Sequence, residues 1–275
     1  MGETAKKILF VNAEMFPYLP ESRMANICRY LPQGIQERHK EIRAFMPRYG
    51  CINERKNQLH EVIRLSGMNI IIGDVDRPLV IKVASISAAR IQVYFIDNED
   101  YFRRKQIYRD EHGKFFADNG ERAIFYARGV LETVKKLRWA PDIIHCSGWI
   151  THVLPLYLKK AYKEDPIFAH SKIVLSLFDD TPPEPLSPGF NNTILYGAVK
   201  PKDVTVLPDQ ASGIELAKLA TQYADGIILG SQDVHPDVHK YCQELGLPLL
   251  PYDGASLEDG SYIDRYNAFY DDLLK

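Results

Sequence analysis

The sequence is poor in several things, and each shortage closes off a class of protein. Four of its 275 residues are cysteine, and Cys28, Cys51, Cys146 and Cys242 stand far apart with no C-x-x-C pair. A disulfide framework and a zinc ribbon are thereby excluded, and buried free thiols are expected. No apolar run approaches the roughly 20 residues that cross a bilayer. The first such run, Ile8 to Val11, is also too short for a secretory signal. Gly2 lacks the Ser or Thr that myristoylation wants at position 6, where Lys6 stands. A cytoplasmic protein without membrane contact is therefore expected. An excess of one charge is missing too: 34 Lys+Arg against 36 Asp+Glu leave a formal charge of −2. No overall field gathers polyanions, so nucleic acid is not an expected partner. What is present is ordinary for a globular chain, 45% hydrophobic and 25% charged residues, enough for one large core or two modest ones.

Apolar runs and breakers then order the chain. Lys7 to Val11 is a short strand, a loop carrying Pro17 and Pro20 follows, and a helix is predicted from about Ser22 to Arg38. Glu41 to Met46 reads as a strand stopped by Pro47. Runs at 59–65, 69–72, 79–86 and 91–96, with turn residues between them, predict an antiparallel or mixed β-rich insertion around 59–96. Ile124, Ala127, Val130, Leu131 and Val134 mark one face of a long helix capped by Asp118 or Asn119. Strands at Asp142–His145, Ile173–Phe178 and Gly226–Leu229 alternate with helices at about His152–Tyr162, Ile214–Tyr223 and Asp233–Leu245. Such alternation predicts an α/β fold, a Rossmann-like parallel sheet with helices on both faces. Residues 1–245 form this domain. Residues 246–275 form an acidic, Tyr-rich tail in which Asp253, Glu258, Asp259, Asp264, Asp271 and Asp272 face only Arg265 and Lys275. Tyr262, Tyr266, Phe269, Tyr270 and Leu273 share one helical face there, too apolar for water, so a docking helix is expected.

Ligands of open parallel sheets sit at the carboxyl ends of the strands, which directs attention to the loops after Val11, His145 and Phe178. There the residues become familiar. KILFVNAEMFPYL at 7–19, MPRYG at 46–50, VYFIDNEDYF at 93–102, Arg104 and Tyr108, DNGERAIFYARGVLE at 118–132, WAPDIIHC at 139–146, Pro155 to Lys159 and Tyr223-Ala224-Asp225 follow in order. Over about residues 6–245 the chain resembles the N-terminal catalytic domain of bacterial glycogen synthases and plant starch synthases. The resemblance implies half of a GT-B glycosyltransferase, an enzyme that passes glucose from ADP-glucose to an α-1,4-glucan without a bound cofactor. By family position the candidate cleft residues are Glu14, Tyr18, Arg23, Asp118, His145, Trp149, Thr151, Asp179, Asp180 and Lys218.

Departures from the family pattern cluster at these same loops. Where the family reads K-T-G-G-L-A-D, this chain reads Pro20-Glu21-Ser22-Arg23-Met24-Ala25-Asn26, losing the lysine and the backbone freedom of two glycines. Arg23 is either a substitute cation or a solvated helix-start arginine. The family's H-C-H-D-W-H-T becomes His145-Cys146-Ser147-Gly148-Trp149-Ile150-Thr151, and Ile150 can neither donate nor accept a hydrogen bond. Trp149 is a packing residue or a sugar platform. I-H-N-L-A-Y-Q-G becomes Phe178-Asp179-Asp180-Thr181-Pro182-Pro183-Glu184, and N-F-L-K becomes Glu215-Leu216-Ala217-Lys218, an acid for an amide. Glu14 and Asp118 match retained positions. Pro20, Ser22, Arg23, Gly148, Ile150 and Glu215 are thus the degenerate positions, and no residue is assigned a catalytic role.

Two metal readings are weighed against plainer ones. Asp179-Asp180 is read as a solvated or capping pair, and His235 and His239, at i, i+4 spacing with Asp233, as exposed helical histidines. No metal is expected. Glu37-Arg38-His39-Lys40 reads as a solvated helix end. Residues after 245 do not encode the second Rossmann-like domain that supplies most of the family's nucleotide site. The expectation is a degenerate relative acting as a binding or regulatory module, its partner an α-glucan or a protein. The alternative is a glucosyltransferase completed by a separately encoded C-terminal half. A third reading, new chemistry at Asp179, Asp180 and Glu184, lacks a nucleophile and base. The tail is expected to pack on the body where a second domain would have touched it.

Overall fold

Strands whose sequences run apolar without alternation are suited to burial on both faces, and they form the middle of the molecule. The computed structural model describes residues 5–275. Parallel strands β1 (Lys7–Asn12), β2 (Glu41–Pro47), β6 (Ile91–Asp97), β7 (Ile143–Ser147), β8 (Lys172–Leu177), β9 (Gly226–Leu229) and β10 (Leu249–Leu250) join an antiparallel edge made of β3 (His60–Glu61), β4 (Met68–Ile72) and β5 (Val75–Ile86). The order is β10-β9-β8-β7-β1-β2-β6-β5-β3, with β4 on β5. The run at 91–96 is thus a parallel member of the main sheet, and antiparallel pairing belongs to 60–86 and its join to β6.

Nine helices complete the described chain: α1 (Arg23–Glu37), α2 (Glu99–Phe102), α3 (Asn119–Leu137), α4 (Leu154–Lys160), α5 (Phe190–Thr193), α6 (Gly213–Gln222), α7 (Pro236–Leu245), α8 (Gly254–Asp259) and α9 (Tyr262–Leu273). Right-handed crossovers decide their faces. The step from β1 to β2 runs one way along the sheet and the steps β6 to β7 to β8 to β9 run the other. Helix α1 therefore lies on one face, and α3, α4, α6 and α7, which touch in succession, lie on the opposite one. No described helix is long and apolar enough to cross a membrane.

The tail helix α9 covers the α1 face. Tyr262, Tyr266 and Tyr270 are buried against the sheet. Two glycines permit the approach: a Cβ on Gly34 of α1 would meet Ile263 at 2.5 Å, and one on Gly226 of β9 would meet Leu273 and Phe269 at 2.9 Å. The corner at residues 37–40 is consequently not a solvated helix end. Arg38 pairs with Asp264 at 2.6 Å, while Lys40 reaches Asp271 at 2.8 Å and Asn267 at 2.7 Å, so the acidic edge of α9 is anchored there.

Other local expectations need correction. The predicted 152–162 helix is a short turn at Trp149–Thr151 followed by α4, which starts where Pro155 fits the first helical turn. Asp118 holds the N-cap position of α3 but makes no capping bond, because its carboxylate is taken by Arg104. The helix expected from Asp233 begins at Pro236, with the His235 ring accepting from the Asp237 N–H at 3.3 Å. His235 and His239 therefore do not share a helical face as ligands. Among the described residues no group of three or more His, Cys, Asp or Glu is placed to hold a metal ion. Cys28, Cys146 and Cys242 are buried free thiols, but Cys51 is exposed because it lies in the turn after Gly50.

Candidate functional site

The loops after β1, β7 and β8 converge on Gly148. Its φ of 90° is open to glycine and hostile to side chains, and a Cβ there would lie 2.4 Å from Ala13 Cβ, 2.9 Å from Met24 Sδ and 3.1 Å from Asp180 Oδ2. The Ala13 N–H donates to the Ser147 carbonyl at 2.8 Å, and the Trp149 N–H donates to Asp180 Oδ2 at 2.8 Å. Three loops and the first turn of α1 are thus drawn together with no room between them. Gly148→Ala is expected to cost at least about 2 kcal/mol, from a disallowed backbone and the Ala13 contact together, as read by chemical denaturation. A substitution without measurable cost would show that the loops are not packed in this way.

Two carboxylates occupy the junction. Asp180 is half-buried, and its Oδ1 is shut from solvent without a hydrogen-bond partner. Burial pushes its pKa up to about 7; the Trp149 N–H works against this, and the nearby Glu14 charge adds to it. Glu14 is also raised by burial, opposed by the Ser22 hydroxyl and the Ala25 backbone. Ser22 donates to Glu14 and accepts the Ala25 N–H at 2.9 Å, so it caps α1. A raised acid binds its proton more tightly when folded, so Asp180 contributes stability below the unfolded value of 3.8 that is lost as pH climbs through about 7. Asp180→Asn keeps an acceptor for Trp149 and removes that loss. The variant is expected to gain up to about 4 kcal/mol on wild type at pH 8 and almost nothing at pH 4. An equal difference at both pH values would show that Asp180 does not titrate abnormally.

The other candidate residues are dispersed. Tyr18 is buried edge-on against Phe95 at 4.9 Å, its phenol pushed up to about 12 by burial. Pro20 is exposed at the loop surface. Arg23 turns away from Glu14: it donates to Ser231 Oγ at 3.2 Å and lies 5.4 Å over the Tyr252 ring. His145 is not in the loop cluster. It points from the middle of β7 into the layer of α9, held between Ser176 Oγ and the Tyr270 hydroxyl, each at 2.6 Å, and burial lowers its pKa to about 3. Trp149 packs beside Tyr108 at 4.8 Å and Phe115 at 5.9 Å and is 1% exposed, which makes it a packing residue. Ile150 and Thr151 are wholly buried, and the Thr151 hydroxyl donates to the Gly148 carbonyl at 2.7 Å. Glu215 closes a capping box with Ser212 at 2.8 Å, whose bonds hold its carboxyl low against burial, and Lys218 sits half-buried one turn on. Asp179, Asp180 and Glu184 do not line one acidic cleft, since Asp179 faces solvent and Glu184 is paired with Arg109.

Sequence reasoning missed the support beneath these loops. Arg122 is fully buried, donates from Nη1 to the Ile107 carbonyl at 2.7 Å and leaves Nε and Nη2 unpartnered. Around it Phe102, Tyr108 and Phe116 present their rings, and Tyr108 shares a 2.8 Å hydroxyl contact with Tyr49. Burial lowers this guanidinium's pKa. An arginine within the apolar spacing of α3 was the signal available. The Arg109–Glu184 pair, joining the loop before α3 to the loop after β8, left no local signal.

Comparison with known proteins places this arrangement. A family model described as the starch synthase catalytic domain matches residues 7–247. The glycogen synthase of Chlorobium limicola is 41% identical over 172 residues, covering 62% of this chain and 35% of that protein. The glycogen synthase of Chlorobium phaeobacteroides is 33% identical over 248 residues, covering 83% of this chain and 48% of that one. The chain thus spans half or less of the length of these relatives. The catalytic domain of starch synthase IV from Arabidopsis thaliana, solved bound to ADP and acarbose, superposes with a TM-score of 0.70 at 13% identity, over 90% of this chain and 51% of that one. That likeness establishes the GT-B type of fold.

Proposed function

The chain belongs to the starch synthase catalytic domain family, and from that premise we propose that its donor-side loops are closed to a nucleotide sugar. It then serves in the cytoplasm as a non-catalytic binding or regulatory module of glucan metabolism. The observation that carries this reading is the convergence on Gly148. The space beside the start of α1 is filled by Ala13, Met24 and Asp180. A departing diphosphate needs positive charge or the free N–H groups of a helix start. Here Ser22 caps α1, Arg23 is drawn off to Ser231 and Tyr252, and Glu14 and Asp180 present carboxylates instead. Ile150, where the family has a sugar-touching histidine, offers no polar atom and no exposure.

A second reading, a transferase that works with another second half, draws support from the retained Glu14 and from 33% identity across most of the chain. The test separates the two. This domain is joined to the second half of the C. phaeobacteroides protein, and glucose transfer from ADP-glucose to glycogen is assayed. Absence of transfer is expected, and transfer at the rate of the parent enzyme overturns the proposal.

A further inference from the structure

The end of the sheet away from Gly148 carries a separate cavity. Phe45 of β2 stacks on Tyr94 of β6, its register partner. Side chains alternate along a strand, so Arg43 and Gln92, each two residues earlier, lie on that same face near the amino ends of their strands. With Gln36 from the last turn of α1 and Arg90 from the turn before β6 they line a cavity of about 200 Å³. Neither guanidinium is in an ion pair among the described residues. Arg43 is held in place: its Nη1 donates to the Tyr94 hydroxyl at 2.8 Å, and its guanidinium lies 5.1 Å over the Trp139 ring. Its Nε is shut from solvent without a partner, whereas Nη2 is neither bonded nor shut in and is the donor left for a ligand. Glu41 is the one carboxylate lining the cavity, and it accepts the Trp139 indole N–H at 2.5 Å rather than pairing with either arginine. The carbonyls of Ile35 and Gln36, at the end of α1, are taken by the N–H groups of Arg38 and His39. Two guanidiniums against one carboxylate leave the cavity positive.

That charge selects an anion. A planar carboxylate is saturated by one guanidinium fork. A tetrahedral phosphate offers three oxygens and up to two charges, enough for forks arriving from two elements and for amide donors as well. Ligand pockets commonly measure about 300–1,000 Å³, so this smaller cavity suits a small anion and not a nucleotide sugar. We propose that it binds a phosphate group, free or carried by a small metabolite. Arg43 and Arg90 share the phosphate oxygens, and the amides of Gln36 and Gln92 donate to those that remain. Because Arg43 is already immobilised on Trp139, binding orders chiefly the exposed Arg90. The site is independent of the loops at Gly148, which lie at the opposite ends of the strands, so it stands or falls apart from the proposed function.

The full chain is titrated calorimetrically with inorganic phosphate, with glycerol phosphate and, as the planar control, with acetate, at constant ionic strength set by chloride. Saturable binding of at least one of the two phosphates is expected, with acetate weaker at least about tenfold. The tighter of the two then shows whether the bound group is free or esterified. Arg90→Gln removes one fork, and Gln92→Glu sets a second carboxylate in the cavity while both arginines stay. Each is expected to lower the association constant at least about tenfold, with circular dichroism unchanged. Both positions are exposed, so neither substitution disturbs the buried core. Phosphate heats that do not saturate, acetate that binds as tightly as phosphate, or phosphate binding that survives either substitution overturns the site.

Discussion

Glucose transfer by this domain, once joined to the second half of the C. phaeobacteroides glycogen synthase, is expected at least about 10³-fold below that of the parent enzyme. Removing a single positioned donor from a developing negative charge typically costs 10²–10³ in rate. Here the lysine position is Pro20, the two glycine positions are Ser22 and Arg23, and the histidine position is Ile150. Restoring side chains alone is expected to recover less than about tenfold, because the defect is also one of space. A histidine at position 150 would enter a wholly buried place, and a lysine at position 20 would stand at the exposed loop surface, outside the junction locked at Gly148. A fused protein carrying Pro20→Lys and Ile150→His is therefore expected to stay nearly silent. The measurement is incorporation of glucose from ADP-glucose into glycogen, with the parent assayed alongside. A rate within tenfold of the parent in the unmodified fusion would mean that the loops open when the second half is present.

Why the loops pack together at Gly148 was only half legible in the residues. Glycine in place of an acid at position 148 reads, in sequence, as the loss of a polar group. In the structure the same glycine is a packing requirement, at a positive φ with Ala13 against it. The two descriptions differ because the first compares residue types, whereas the second depends on the loops after β1 and β8, distant in sequence and brought together only by the order of the strands in the sheet. Local patterns carried the parallel core well, since mostly apolar runs without alternation, such as Ile173–Leu177 with Ser176 as its one polar member, have few alternatives to a strand buried on both faces. They carried the amphipathic α3 and the aromatic stripe of α9 for the same reason. Long-range ion pairs left no such trace. Arg38 and Asp264, or Arg109 and Glu184, look solvated when each is read among its neighbours, and Asp118 looks like a cap until Arg104 is placed beside it. Asp97 reads as the end of an apolar strand, and only the fold shows that Lys82 lies against it in an open cavity.

The largest effect of a single substitution on stability is expected at Tyr270. This ring is fully buried between α9 and the sheet, and its hydroxyl meets His145 Nδ1 at 2.6 Å, while Ser176 holds the other ring nitrogen. His145, with its pKa lowered to about 3 by burial, is neutral at every ordinary pH, so the contact is a hydrogen bond between neutral groups in a dry place. Tyr270→Phe keeps the ring and strands one nitrogen, an expected cost of about 1–3 kcal/mol. Tyr270→Ala also opens a cavity under Phe10 and Tyr266, which pack around the same imidazole, and is expected to cost about 3–5 kcal/mol. In a chain of this size the latter corresponds to a fall in Tm of about 10 °C. Removal of residues 246–275 goes further, uncovering His145, Ser176 and the apolar face of α1 at once, so the truncated chain is expected to associate or fail to stay in solution. Thermal denaturation of the two point variants and light scattering of the truncate decide the matter. A truncate that stays monomeric with unchanged Tm would mean that α9 rests on the sheet without stabilising it. The graded loss from Phe to Ala to truncation would instead show that the tail is part of the core, with His145 committed to holding it rather than to any ligand.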